Sequence, residues 1–221
     1  MVPDLASGAS GASGAPAAFA QAVTSLRETA LRPELQVEEI PAPQRLAPYS
    51  FALAAHVVNG PDSGGESGAG PAPSDDGDEG DLASGRLVLL YDPEGQEAWE
   101  GTLRIVTFVT AGLDSEMAGD PLLAGVGWSW LMDALEAHGA RHTAAGGTVT
   151  QTTSTRFGDI AGPTETADVE LRASWTPLEE DLTPHLLAWC ELLCSTAGLP
   201  PPGVTLLSGQ QGRPPADPAV R

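Results

Sequence analysis

The 221-residue chain contains no lysine; its ten basic residues are all arginine. That absence excludes Schiff-base catalysis and a P-loop lysine. Bases are scarce altogether, ten against 30 acids, for a net charge of −20. Seven of the acids (Asp62, Glu66, Asp75, Asp76, Asp78, Glu79 and Asp81) fall within residues 60–82, a stretch without one arginine. Setting those seven aside leaves 23 acids against 10 arginines, still −13. Such a surface repels phosphate backbones and anionic headgroups, so neither a nucleic acid nor a membrane is an expected partner. Cysteine is limited to Cys190 and Cys194, and no apolar run reaches 18 residues. The first charge is Asp4, so the basic region of a secretion signal is missing. These features predict a cytoplasmic protein.

Glycine (26) and proline (20) are plentiful but concentrated in three places. Residues 1–15 carry SGASGASGA, residues 60–82 are an acidic Gly/Ser/Pro/Asp insert, and residues 204–221 are a Pro/Gly-rich tail. None has enough apolar surface to offset its ordering entropy, so all three are expected to be disordered. Residues 16–203 are left as one domain, long enough to bury a core without disulfides.

Within that domain the hydrophobic period alternates between 3.6 and 2. Residues 16–31 read as a helix through Phe19, Ala22, Val23 and Leu26. Residues 35–40 read as a short acidic edge strand, and 49–58 as a half-buried strand with Tyr49, Phe51, Leu53, Ala55 and Val57 on one face. Residues 85–91 resume as a buried strand, followed by Asp92-Pro93-Glu94-Gly95, a type I turn pattern. The strand from Thr102 to Ala111 is apolar on both faces. Asp120 suits an N-cap and Pro121 a first helical position, opening a helix that ends near His138 at Gly139. Strands are expected at 148–157 and 168–175, and a last helix at 182–197 before Gly198. The order α-β-β-β-β-α-β-β-α, without repeated strand–helix–strand units, points to an α+β fold. It calls for an antiparallel sheet of five or six strands packed by three helices.

Motifs that would carry chemistry fail one by one. Cys190 and Cys194 lie four apart on one helix face near His185, but tetrahedral zinc needs four ligands, and packing of two small thiols is the plainer reading. His138 and His142 flank a helix end, where a capping role is favoured by the dipole. Gly125-x-Gly127-x-x-Trp130 lacks the third glycine of a dinucleotide fingerprint and sits inside a helix. Asp114, Glu116 and Asp120 could hold a divalent cation or serve a hydrolase, but capping accounts for Asp120. No catalytic residue, metal or cofactor is therefore assigned. What stands out is a surface: with Tyr49, Phe51 and Leu53 facing the helices, the opposite sheet face brings Val88 and Leu90 together with Arg104, Val106, Phe108 and Arg172. An apolar patch rimmed by arginines is rarely left open. Trp128, some 200° around its helix from Trp130, is off the buried stripe and joins the candidate binding residues.

The stretches PQRLAPYSFAL, GRLVLLYDPEGQEAWEGTLRIVTFV, MAGDPLLAGVGWSWLMDAL and VELRASWTP resemble the actinobacterial "domain of unknown function 3000" family. The resemblance spans about residues 16–203 and implies an actinobacterial origin, but no activity or site residue. The element order also resembles, in architecture alone, type III secretion chaperones and YbjN-like folds, which bind polypeptides and dimerise. The leading expectation is a non-enzymatic protein-interaction or chaperone-like module binding a protein partner or a second copy of itself. The alternatives are a hydrolase using the acidic cluster and a small-ligand sensor.

Overall fold

A computed structural model of the chain describes residues 15–58, 81–113, 119–159 and 165–201. Most of the expected insert and both tails lie outside the described residues, as do Asp114 and Glu116. The elements run α1 (Ala17–Glu28), β1 (Leu35–Ile40), β2 (Tyr49–Val58), β3 (Asp81–Gln96), a short 3-10 turn (Glu97–Trp99), β4 (Gly101–Leu113), α2 (Leu123–Ala137), β5 (His142–Thr155), β6 (Glu165–Pro177) and α3 (Thr183–Thr196). The six strands form one antiparallel sheet in the order β1-β2-β3-β4-β6-β5, so the fold is the expected α+β class in the expected element order.

Strand alternation decides which face takes the helices. Phe51, Leu53 and Val57 of β2, Leu87 and Leu89 of β3, Leu103, Ile105 and Val109 of β4, and Val169, Leu171 and Trp175 of β6 are all buried. Over them lie Leu186, Trp189, Leu192 and Leu193 of α3, Leu131 and Leu135 of α2, and Phe19, Val23 and Leu26 of α1. Phe19 meets Tyr49 and Tyr91 with ring centroids 5.8 and 5.9 Å apart. All three helices thus share one face of the sheet.

Two polar contacts fix α3, one of them buried. Trp175 Nε1 donates to His185 Nδ1 at 3.0 Å, so this imidazole accepts at Nδ1 and is neutral there. At the C-terminal end of α2, His138 Nε2 meets Glu191 Oε2 of α3 at 2.5 Å. The side chain expected to serve a helix dipole instead ties two helices together. Gly139 (φ 65°) and Gly198 (φ 72°) end their helices in the left-handed conformation, as expected.

Several boundaries differ from the sequence reading. Asp120 does not cap α2 directly: its Oδ1 accepts from the Leu122 amide at 2.8 Å and its carbonyl from Leu123, a tight turn that delays the helix to Leu123. Asp92–Gly95 is a bulge inside β3, not the hairpin turn; pairing resumes at Gln96 with Gly101, and the reversal falls at Glu97–Glu100. Residues 81 and 82 belong to β3 rather than to the insert. Strand β5 starts six residues earlier than expected, because Ala144 (φ 49°) makes a bulge and two glycines carry the strand on.

Gly147 is required by close approach. A Cβ there would sit 2.3 Å from the Arg172 carbonyl oxygen and 2.8 Å from the Trp128 ring. Replacing Gly147 with alanine is expected to cost about 3 kcal/mol or more in urea unfolding, whereas Gly146→Ala, with nothing within 4 Å, should be near neutral.

Burial lowers the pKa of His185 from 6.5 to about 4, with nearby His142 adding to the effect and Asp181 opposing it. The unfolded chain then binds more protons between those values. Stability is fully present above pH 6.5 and falls as the pH drops toward 4. The loss between pH 7 and pH 5 should be about 2 kcal/mol by urea unfolding, and His185→Gln should remove most of that pH dependence.

Candidate functional site

The face of the sheet opposite the helices carries the other side chain of each alternating pair. Register across four strands places Arg86 of β3 beside Phe108 of β4, Phe108 beside Arg172 of β6, and Arg172 beside Thr148 of β5. The adjoining row is Ala52, Val88, Val106, Ser174 and Gly146. Together these rows line a shallow groove of about 640 Å³ whose floor is the backbone of Thr107, Ala173 and Gly147. Gly146 lacks the side chain that would stand in this groove, and a Cβ there would meet open space.

The groove is apolar in the middle and cationic at its ends. Val106 is 37% exposed and Phe108 half-buried. The Arg172 guanidinium lies over the Phe108 ring, 5.3 Å from its centroid, and its Nε bonds Glu170 Oε1 at 2.6 Å. A cation over an aromatic face is attracted by the ring quadrupole and keeps that ring in place. Arg86, exposed on the other side of Phe108, has no ion-pair partner among the described residues.

Of the residues picked out in the sequence, Val106, Phe108 and Arg172 are brought together here. Arg104 shares the face, but its head group is committed. It donates to Ala144 O at 2.9 Å, Thr176 Oγ1 at 3.1 Å and Ser174 Oγ at 2.6 Å. These bonds pin the β5 bulge to β4 and β6, and partial burial among neutral oxygens lowers the arginine pKa, with Glu100 opposing. Arg104 is placed as a strut of the sheet, its head group bonded within the fold. Trp128 lies apart from the groove: its ring packs on Gly147 from the helix side, because α2 lies over β5 and the absent side chain at Gly147 receives it. Arg86 was missed, although it shares strand parity with Val88 and Leu90 and so was readable as a member of this face.

The other candidates assemble no reactive centre. Cys190 and Cys194 are buried under α3; burial, then Cys194, pushes the Cys190 thiol up to about 12, and burial raises Cys194 as well, so both are held as thiols. Asp120 is used in its turn, and no group of three or more His, Cys, Asp or Glu gathers among the described residues. No helix among the described residues is long and apolar enough to cross a membrane.

The two arginines separate by stability. Arg104→Met should destabilise the chain by about 1–3 kcal/mol in chemical denaturation, since it removes the donor to Ala144 O, Ser174 Oγ and Thr176 Oγ1. Arg86→Met should change it by no more than about 0.5 kcal/mol.

No curated protein and no solved structure matches the chain. The profile of one family, described as "Protein of unknown function (DUF3000)", matches residues 15–205. That match spans most of the chain, and the chain belongs to the DUF3000 family.

Proposed function

We propose that this chain is a cytoplasmic, non-enzymatic protein-interaction module. Its open sheet face takes a segment of a partner protein in which carboxylates flank an apolar or aromatic side chain. The observation that carries this reading is the row Arg86–Phe108–Arg172 on a face that no described element covers, in a chain with net charge −20. A strongly acidic protein that spends two of its ten arginines beside an exposed apolar strip has an electrostatic trap of one sign in a field of the other. Phe108 and Val106 supply the desolvated centre, and the guanidinium groups supply charge-assisted bonds at its rim. The same surface charge that disfavours nucleic acid and membrane leaves a polypeptide as the fitting partner class.

The groove has a clean blocking mutation. A leucine at position 146 would project into the groove from a Cβ that has no heavy atom within 4 Å. Affinity purification from the native host, with mass spectrometry, should recover a protein with the wild-type chain and lose it with both Gly146→Leu and Arg86→Glu. Its recovery should weaken as salt is raised. Equal recovery by all three baits, each confirmed folded by circular dichroism, would overturn the reading.

A further inference from the structure

The two edges of the sheet are finished differently. Strand β1 is six residues long and carries Glu38 and Glu39, the latter clasped by Arg27 of α1 at 2.8 Å. Short, charged edges discourage pairing with another chain. At the opposite edge, β5 runs fourteen residues, roughly 46 Å at a strand's rise, without an acid, an arginine or a proline. Its second half is Thr148-Val149-Thr150-Gln151-Thr152-Thr153-Ser154-Thr155, and every residue of the strand is exposed or half-buried. Of the two described edges of the sheet, this long, uncharged, β-branched one is the edge without repulsive charge, in a chain with 30 acids.

Apolar side chains left exposed among the described residues lie at the same border. Leu122 is 69% exposed and Val126 42% exposed, one turn apart at the start of α2, the helix seated on β5. Gln151 Nε2 donates to Asp120 O at 3.2 Å, holding this end of α2 to the strand. Phe157, 80% exposed, lies two residues beyond β5.

We propose that β5 pairs antiparallel with β5 of a second copy of the chain about a two-fold axis normal to the sheet. Two six-stranded sheets then become one of twelve, with both helix layers on one side and both grooves on the other. A second copy is the fitting occupant because a two-fold sets each patch against itself. On a −20 protein only an uncharged border avoids meeting its own charge. Threonines facing threonines across such a seam are favourable cross-strand pairs. A seam roughly 46 Å long and about 10 Å deep covers on the order of 900 Å² over both copies, below what a stable dimer needs. Leu122, Val126 and Phe157 add area beside it. The dimer is accordingly weak and depends on concentration. It leaves the groove open, so it stands independently of the function proposed above.

Sedimentation velocity of the full chain from about 1 μM to about 1 mM tests this. The wild type should shift toward dimer as concentration rises, and amide exchange across residues 148–155 should slow with it. Thr150→Lys with Thr152→Lys should weaken the dimer about tenfold or more; both new lysines face acids on β6, Glu170 and Asp168, so the monomer tolerates them. Phe157→Asp, outside the strand, should weaken it as well, and Phe108→Glu should leave it unchanged. A wild type that stays monomeric throughout overturns the proposal. So does a dimer that ignores the lysine pair, or one lost only with Phe108→Glu.

Discussion

The rest of this structure depends on all three helices being committed to a single face of the sheet. Trp175 and Trp189, both fully buried, fill the space between α3 and the central strands, and Trp175 Nε1 locks the helix through His185. Gly85 lets α3 come down onto β3, since a Cβ there would lie 2.8 Å from Leu193. Gly147 does the same for Trp128 under α2. With the apolar content of α1, α2 and α3 spent on that side, the described chain has no element to lay over the other. The exposed strip of Val88, Val106 and Phe108 follows from that allocation.

Much of this was legible because strands announce their faces. The alternation of Phe51, Leu53, Val57 against Ala52, Ala54, His56, and of Ile105, Thr107, Val109 against Arg104, Val106, Phe108, sorts the sheet into two sides without knowledge of the pairing. It placed Val106, Phe108 and Arg172 together before any register was known. What the pattern could not supply was the state of each head group. Arg104 and Arg172 read alike in sequence, yet Arg104 is consumed by a bulge at Ala144 that no local signal announces, since alanine rarely adopts a positive φ. The seat of Trp128 was hidden for a related reason. Its angle on the helix wheel put it off the stripe, but the notch at Gly147, nineteen residues away, gave it a seat. The early part of β5 was hidden by Gly146 and Gly147, which weaken a strand signal while serving the packing of α2 and the opening of the groove.

Charge is distributed to match. Arg27 is spent on Glu39 at the β1 edge, Arg32 on Glu34, and Arg141 on Glu179. These exposed pairs contribute little to stability. Among the described residues Arg86 is spared such a partner, and Arg172 keeps its guanidinium over Phe108 while holding Glu170. An acidic chain that keeps cations beside an open apolar strip has arranged both steering and contact at one place. The uncharged β5 edge is a separate border, and the groove and the edge share only the short segment from Gly146 to Thr148.

The most direct test is whether that strip is open in the free protein. In NMR spectra with a soluble paramagnetic probe, the methyls of Val88 and Val106 and the ring of Phe108 should broaden far more than the buried methyls of Leu87 and Leu89 on the same strands. Protection of Val106 and Phe108 equal to that of Leu87 would show that the face is already covered, and would contradict the account.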